Sequence, residues 1–394
     1  MLQLNKSSSL FAYGFRSNFF LAGLAGLLLV PLWALSFVWG ARLGSGWPPT
    51  LWHGHEMLFG FIASAIAGFL LTAVPSWTGQ KGFAGRPLIV LAVLWLSARL
   101  LIASSGLWPP LLTAAMDLAF LPALALLVAP PLLRERSRNT PLLLVLGLLW
   151  LTNLVFHFAV IRNNPPLAIR ALIAGIDIVL ILVTVIGGRI VPAFTTAALR
   201  QRGITGVVQS RAVLTVLAVA AMGLVTVGDV FWPERPIAGL IAGVAACIQA
   251  LRLLQWGTFR TLRQPIVWVL HVGYAWLPVG LALKATALLT GSAFAAFWLH
   301  ALTIGALTTM IMAVMTRASL GHTGRPLTVD PFITGAYLLL SAAAAIRVFG
   351  LSPLRLNYSV VIVWSALFWT MAFAIFVGVY SPILWRPRVD GKPG

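Results

Sequence analysis

The stretch LWHGHEMLFG, residues 51–60, decides the fold, because it leads into an uncharged apolar run at residues 61–74. It places His53, His55, Glu56 and Met57 at the start of an apolar helix. Ionisable groups at the edge of a hydrocarbon slab are costly and indicate function, and this set suits a metal site. Residues two apart on a regular helix point about 200° apart, so we expect the two histidines to serve different sites.

In the same regular helix, Glu56 and Met57 would share the face of His53, since they follow it by three and four positions. The alternative interpretation is that these polar residues only cap the helix or lie at the membrane interface. The sequence leaves both interpretations open.

Composition identifies an integral membrane protein. The chain has 394 residues, of which 60% are hydrophobic and 9% are charged, whereas soluble chains carry about 25% charged residues. The net charge of +19 would suggest nucleic acid in a soluble protein, but here the basic residues lie in short loops, where topology and anionic lipid explain them. The single cysteine, Cys247, excludes an internal disulfide or an iron–sulfur cluster bound by this chain's cysteines.

Apolar runs of about 20 residues, the length that crosses a bilayer, occur twelve times. We therefore predict an all-α polytopic bundle that forms a single transmembrane domain, residues 1–394. The predicted spans are roughly 18–40, 52–74, 87–106, 110–131, 141–161, 167–187, 211–231, 236–256, 265–290, 295–316, 329–350 and 356–380.

Lysine and arginine are concentrated at the two termini and in the even-numbered gaps between spans. Positive charge favours the cytoplasmic side, so we expect both termini in the cytoplasm. Four of the six histidines then lie near the outer ends of spans, namely His53, His55, His157 and His300. His271 lies inside the cytoplasmic end of the ninth span, and His322 follows the tenth in a cytoplasmic loop.

This outer layer of imidazoles is typical of haem or copper ligation, since imidazole is a good ligand for iron and copper. The alternative is a set of hydrogen-bonding interfacial histidines. For His271, a ligand and a hydrogen-bonded core residue are equally compatible with the sequence.

Charged residues inside the spans should pair with one another or line a water path. Arg99 and Lys284 lie toward the outer half, where they would contact haem propionates or pair with Asp117 or Asp229. The predicted proton or charge path comprises Glu56, Asp117 and Asp177. The segment GGRIVPAFT, residues 187–195, reads as a turn that ends the sixth span and that is either structural or part of a site.

Five stretches together resemble the NnrS family of bacterial membrane proteins. They are WHGHEMLFGF (52–61), GFLLTAVPSWTG (68–79), GGRIVPAF (187–194), LHVGYAWLPVG (270–280) and LHALTIGALTTMIMAVMTRASLGHTGRPL (299–327). The resemblance implies a twelve-span protein of the bacterial inner membrane that contains copper and b-type haem. It also implies a role in nitric oxide metabolism, denitrification and nitrosative stress. The family's histidines fall on His53, His55, His271, His300 and His322, whereas His157 lies outside these blocks.

The chain is also similar, more weakly, to the catalytic subunit of haem–copper oxidases, which has twelve spans and haem ligands on the second and tenth. His53, His55 and His300 occupy the second and tenth spans here. An adjacent pair of histidines for copper and a histidine in the sixth span are missing from the sequence. The similarity supports a haem between spans 2 and 10 without establishing oxidase activity.

Three hypotheses follow. The first is a haem- and copper-binding protein that binds or turns over nitric oxide, with an unidentified electron donor and with metals on histidines of spans 2, 9 and 10. The second is a secondary transporter or metal permease, and the third is a haem-binding sensor or assembly factor without turnover. Steady-state consumption of nitric oxide would separate the first hypothesis from the third.

Overall fold

The computed structural model is entirely helical over the residues it describes, which are 9–41, 45–205, 208 and 210–392. Twelve of its helices are long and apolar enough to cross a membrane, which confirms the predicted fold class. The outermost residues of the domain predicted over 1–394 lie outside the described residues.

We label these helices α1 to α12 in chain order. Their bounds are Gly14–Trp39, Pro49–Thr78, Arg86–Ala103, Pro110–Arg134, Leu142–Ile161, Pro165–Gln201, Ala212–Phe231, Pro236–Leu254, Pro265–Thr290, Ala293–His322, Pro331–Phe349 and Tyr358–Trp385.

Proline and glycine set many of the helix ends. Helices α2, α8 and α9 each begin with proline in their first turn, where its missing N–H costs nothing and its fixed φ suits the helix. Helices α2 and α9 end at Gly79 and Gly291, both with φ of 66°. Only glycine adopts this left-handed conformation without strain, so the sequence itself stops these helices.

The first of two compact units comprises Met1–Gly175, Met315–Leu327 and Phe373–Gly394. Helix α1 packs closely on α2, since a Cβ at Gly68 would clash with the ring of Phe19. The buried Arg16 at the start of α1 donates to the carbonyl oxygens of Leu384 and Arg386, at 2.9 and 2.8 Å. These bonds satisfy carbonyls at the end of α12 that have no partner within the helix.

The second unit comprises Ile176–Val314 and Thr328–Ala372. A buried polar network joins its helices, in which Arg252 of α8 donates to the Thr184 carbonyl (2.7 Å) and the Tyr274 hydroxyl (3.0 Å). Gly188 makes room for this guanidinium, because a Cβ there would overlap it.

Two features at the ends of helices differ from the predictions. The predicted turn at residues 187–195 was wrong, because α6 continues as a helix to Gln201. Its glycine pair provides close packing rather than a turn, and Pro192 is tolerated inside the helix. His322 is the last residue of α10 and does not lie in a loop.

Helices α2 and α10 each contain a π-helical segment, at Glu56–Ile62 and Ala301–Thr308. Each segment begins directly after a histidine, His55 in the first unit and His300 in the second. π-Helical turns are rare and are frequent at functional sites, so they direct attention to the residues beside them.

Candidate metal centre

Three helices of the first unit bring His55, Asp117 and His157 together. The residues lie on α2, α4 and α5, and one ligand atom from each lies within 4.8 Å of the others. All three side chains are buried. This group is a candidate metal centre, and only its histidines were assigned to metal binding from the sequence, whereas Asp117 was assigned to a charge path.

Asp117 is the centre of the group. Its Oδ2 lies 3.1 Å from His55 Nε2 and 3.0 Å from His157 Nε2. The same oxygen accepts a hydrogen bond of 2.7 Å from Asn153 Nδ2, while Oδ1 forms an ion pair with Arg99. The two imidazole Nε2 atoms therefore converge on one carboxylate oxygen.

The other ring nitrogen of His55 is also engaged. Its Nδ1 lies 3.1 Å from Glu56 Oε1, and the same oxygen lies 3.0 Å from Arg99 Nη1. Histidines that bind metal through one nitrogen usually donate the other N–H to a carboxylate or carbonyl, which sets the tautomer and the ring orientation. Glu56 is placed to do this for His55, and Arg99 fixes Glu56.

Aromatic rings enclose the two imidazoles. The ring centroid of His55 lies 4.7 Å from that of Phe156, 4.9 Å from that of Phe59 and 5.2 Å from that of Trp47. Trp47 also lies 5.6 Å from His157. This apolar wall restricts water and strengthens the electrostatic interactions of the polar group inside it.

The donor set fits a transition-metal ion. Ligands bound at about 2.0–2.1 Å in tetrahedral geometry lie about 3.3 Å apart, close to the spacing of Asp117 Oδ2 from each Nε2. Two imidazoles and a carboxylate are typical ligands of copper, iron and zinc. With neutral imidazoles, the carboxylates of Glu56 and Asp117 exceed the charge of Arg99 by one, so a metal cation would offset the remaining charge.

Asn153 and Trp47 are among the residues of this centre that sequence reasoning missed. Asn153 precedes His157 by four residues on α5, so both side chains lie on one helical face. That spacing of two polar residues in an apolar span was a usable signal. The position of Trp47 before α2 offered no comparable signal.

His53 lies outside this group and in different surroundings. Its ring stacks on Trp33 with the centroids 4.3 Å apart, so the two histidines lie in different surroundings. Glu56, where the π-helical segment starts, contacts His55 and Arg99.

Of the remaining predicted ligands, His322 belongs to the first unit and His271 and His300 to the second. His322 packs against Tyr13 and Phe15, with the centroids 6.0 and 5.7 Å apart. Both ring nitrogens of the buried His271 lie near hydroxyls, Nε2 at 2.8 Å from Thr195 and Nδ1 at 3.0 Å from Thr258. Both ring nitrogens of His271 therefore have hydrogen-bonding partners, as is typical of a buried core histidine.

His300 ends a short helical turn and is partly buried near Phe297. Arg99 pairs with Asp117, and Lys284 pairs with Asp229. The sequence left two alternatives open for both cations, contact with haem propionates or pairing with an aspartate. The pairs seen here correspond to the second alternative.

Comparison with known proteins adds one finding. A family model described as NnrS protein matches residues 9–388. No curated protein matches the chain significantly.

Proposed function

The chain belongs to the NnrS family, and from that premise we propose that it binds copper at His55, Asp117 and His157 and acts in nitric oxide metabolism or nitrosative-stress resistance. The observation that carries the copper site is the convergence of two imidazole Nε2 atoms on Asp117 Oδ2, with the far nitrogen of His55 facing Glu56. Copper is the member of the fitting metals that the family resemblance implies.

Each residue of the centre has a separate task in this proposal. His55 and His157 bind the metal through Nε2, and Asp117 supplies an oxygen ligand and a negative charge. Glu56 orients His55, while Arg99 orients both carboxylates. Bound copper would supply the one-electron chemistry that reactions of nitric oxide need, because the protein's own side chains do not readily supply it.

Haem forms the second part of the proposal. We assign haem ligation to two histidines separately, His53 in the first unit and His300 in the second, since neither belongs to the group around Asp117. His300 directly precedes one π-helical segment, and His53 lies three residues before the start of the other. His53 stacks on Trp33, which provides the kind of apolar wall that a macrocycle contacts. Haem is therefore expected to depend on histidines that copper does not need.

Metal analysis of purified protein tests the two assignments together. We expect His55→Ala and His157→Ala to lose stoichiometric copper and to retain the Soret band of haem. His53→Ala and His300→Ala should show the opposite pattern. His271→Ala serves as the matched control, since its ring nitrogens are occupied by hydroxyls, and it should retain both cofactors.

Stoichiometric copper in both His55→Ala and His157→Ala would refute the copper site. If the protein contains zinc or iron instead of copper and the same two variants lose it, the assignment of the site stands and only the identity of the metal changes. A protein without a Soret band would refute the haem assignment alone.

A further inference from the structure

The second unit contains a separate group of buried ionisable residues, Asp177 on α6, Asp229 on α7 and Lys284 on α9. Their exposed fractions are 1%, 9% and 1%. Lys284 Nζ forms an ion pair with Asp229 Oδ2 and lies 4.6 Å from the ring centroid of Trp298. None of these residues belongs to the metal centre.

The carboxyl group of Asp177 lies within hydrogen-bonding reach of Asp229. Among the residues that the structure describes, Asp229 and Lys284 are the ionisable groups that act on Asp177. The second oxygen of Asp177, Oδ2, is buried and has no hydrogen-bond partner in that part of the chain. One lysine is therefore shared by two carboxyl groups that face each other.

The charges of this group do not balance without a proton. Two carboxylates and one ammonium carry a net charge of minus one, and an unbalanced charge is costly in an apolar interior. Two carboxylates in hydrogen-bonding contact also repel each other, so that such pairs hold one proton between them. A proton on one of the two carboxyl groups makes the group of three residues neutral. It also provides the donor for a hydrogen bond between the two carboxyl groups, which two carboxylates lack.

We propose that Asp177 and Asp229 share one exchangeable proton, which makes this group a proton-binding site within the membrane-spanning part of the second unit. Lys284 neutralises the remaining carboxylate, and Asp177 Oδ2 is the free acceptor through which the proton is exchanged. Release of the proton leaves a buried negative charge, so release must accompany the arrival of another positive charge. The site does not depend on copper or haem.

Infrared difference spectroscopy of the full chain in lipid vesicles at neutral pH tests the proposal. The difference between the wild type and Asp177→Asn should contain the C=O stretching band of a protonated carboxylic acid, shifted to lower frequency in D2O. Asp229→Asn should remove the same band, since the remaining aspartate would then pair with Lys284 as a carboxylate. Asp229→Asn therefore provides a second test of the shared proton if Asp177→Asn fails to fold.

Lys284→Met should increase the band, because without the ammonium both carboxyl groups bind a proton. Asp330→Asn is the matched control: Asp330 is exposed and caps α11 by accepting from Phe332 N–H, and asparagine can also cap a helix. The control should retain the wild-type band. Difference spectra of Asp177→Asn and Asp229→Asn that contain only carboxylate bands would show two ionised aspartates and would overturn the proposal.

Discussion

Glu56 is a buried carboxylate that would orient a ligand of the proposed metal centre without binding the metal itself. Its Oε1 lies between His55 Nδ1 and Arg99 Nη1, at 3.1 and 3.0 Å. In the proposed centre it orders His55 so that Nε2 points at the metal. Because its contribution is indirect, changing Glu56 should weaken metal binding without abolishing it.

We predict that Glu56→Gln lowers copper affinity by about 10–100-fold, the usual cost of losing a carboxylate that supports a ligating histidine. The glutamine oxygen can still accept from His55 but lacks the negative charge. Competition with a copper chelator would measure the affinity, with folding checked by size-exclusion chromatography.

Glu135→Gln provides the control for this prediction, since Glu135 is exposed and contacts Gln80 near the far end of α4. It should leave copper affinity unchanged. Unchanged affinity in Glu56→Gln as well would show that Glu56 does not support a ligand.

At the scale of the element, the π-helical segment Glu56–Ile62 begins directly after the proposed ligand His55 and contains the carboxylate that supports it, Glu56. The carbonyl oxygen of Gly60 accepts from Trp95 Nε1 at 2.9 Å, which ties this segment to α3. A Cβ at Gly60 would lie 2.9 Å from Arg99 Nη1 and 3.3 Å from its Cδ. Glycine thus leaves the space in which Arg99 reaches Glu56.

We predict that Gly60→Ala displaces the flexible end of Arg99 and weakens its contact with Glu56. Copper affinity should fall by about tenfold, the lower end of the effect of disturbing a ligand's support, while the haem spectrum stays unchanged. Chelator competition and the Soret band would measure the two effects.

Gly147→Ala on α5 is the matched control, because a Cβ there would meet no atom within 4 Å. If it lowers copper affinity as much as Gly60→Ala does, the effect reflects general perturbation of the helices. The role assigned to Gly60 would then be wrong.

At the scale of the whole molecule, twelve spans are an even number, so both termini should lie on one side of the membrane. The distribution of lysine and arginine predicts that this side is the cytoplasm. The same orientation would place His55 and His157 toward the periplasm.

Reporter fusions test this orientation. Alkaline phosphatase fused after the last residue should be inactive, because it is active only outside the cytoplasm. The same enzyme inserted at Asn163, in the short connection between α5 and α6, should be active. The reverse pattern would invert the topology and place the metal centre toward the cytoplasm.

Much of the architecture followed from the sequence alone. The membrane class and the number of spans are local properties, because each span must satisfy its own backbone and bury about 20 apolar residues in lipid. The depth of His55, Asp117 and His157 along their helices followed in the same way. The separate surroundings of His53 and His55 were also predictable, since the turn containing both is a regular helix.

Tertiary structure alone decided which of these residues meet. Sequence specifies how deep a residue lies in its span but not which span lies beside it, so His157 and Asn153 could not be assigned to the same centre as His55. Packing also selected Asp117 for Arg99 and Asp229 for Lys284. The π-helical segment at Glu56 depends on neighbours such as Trp95, and a periodicity of 3.6 residues cannot reveal it.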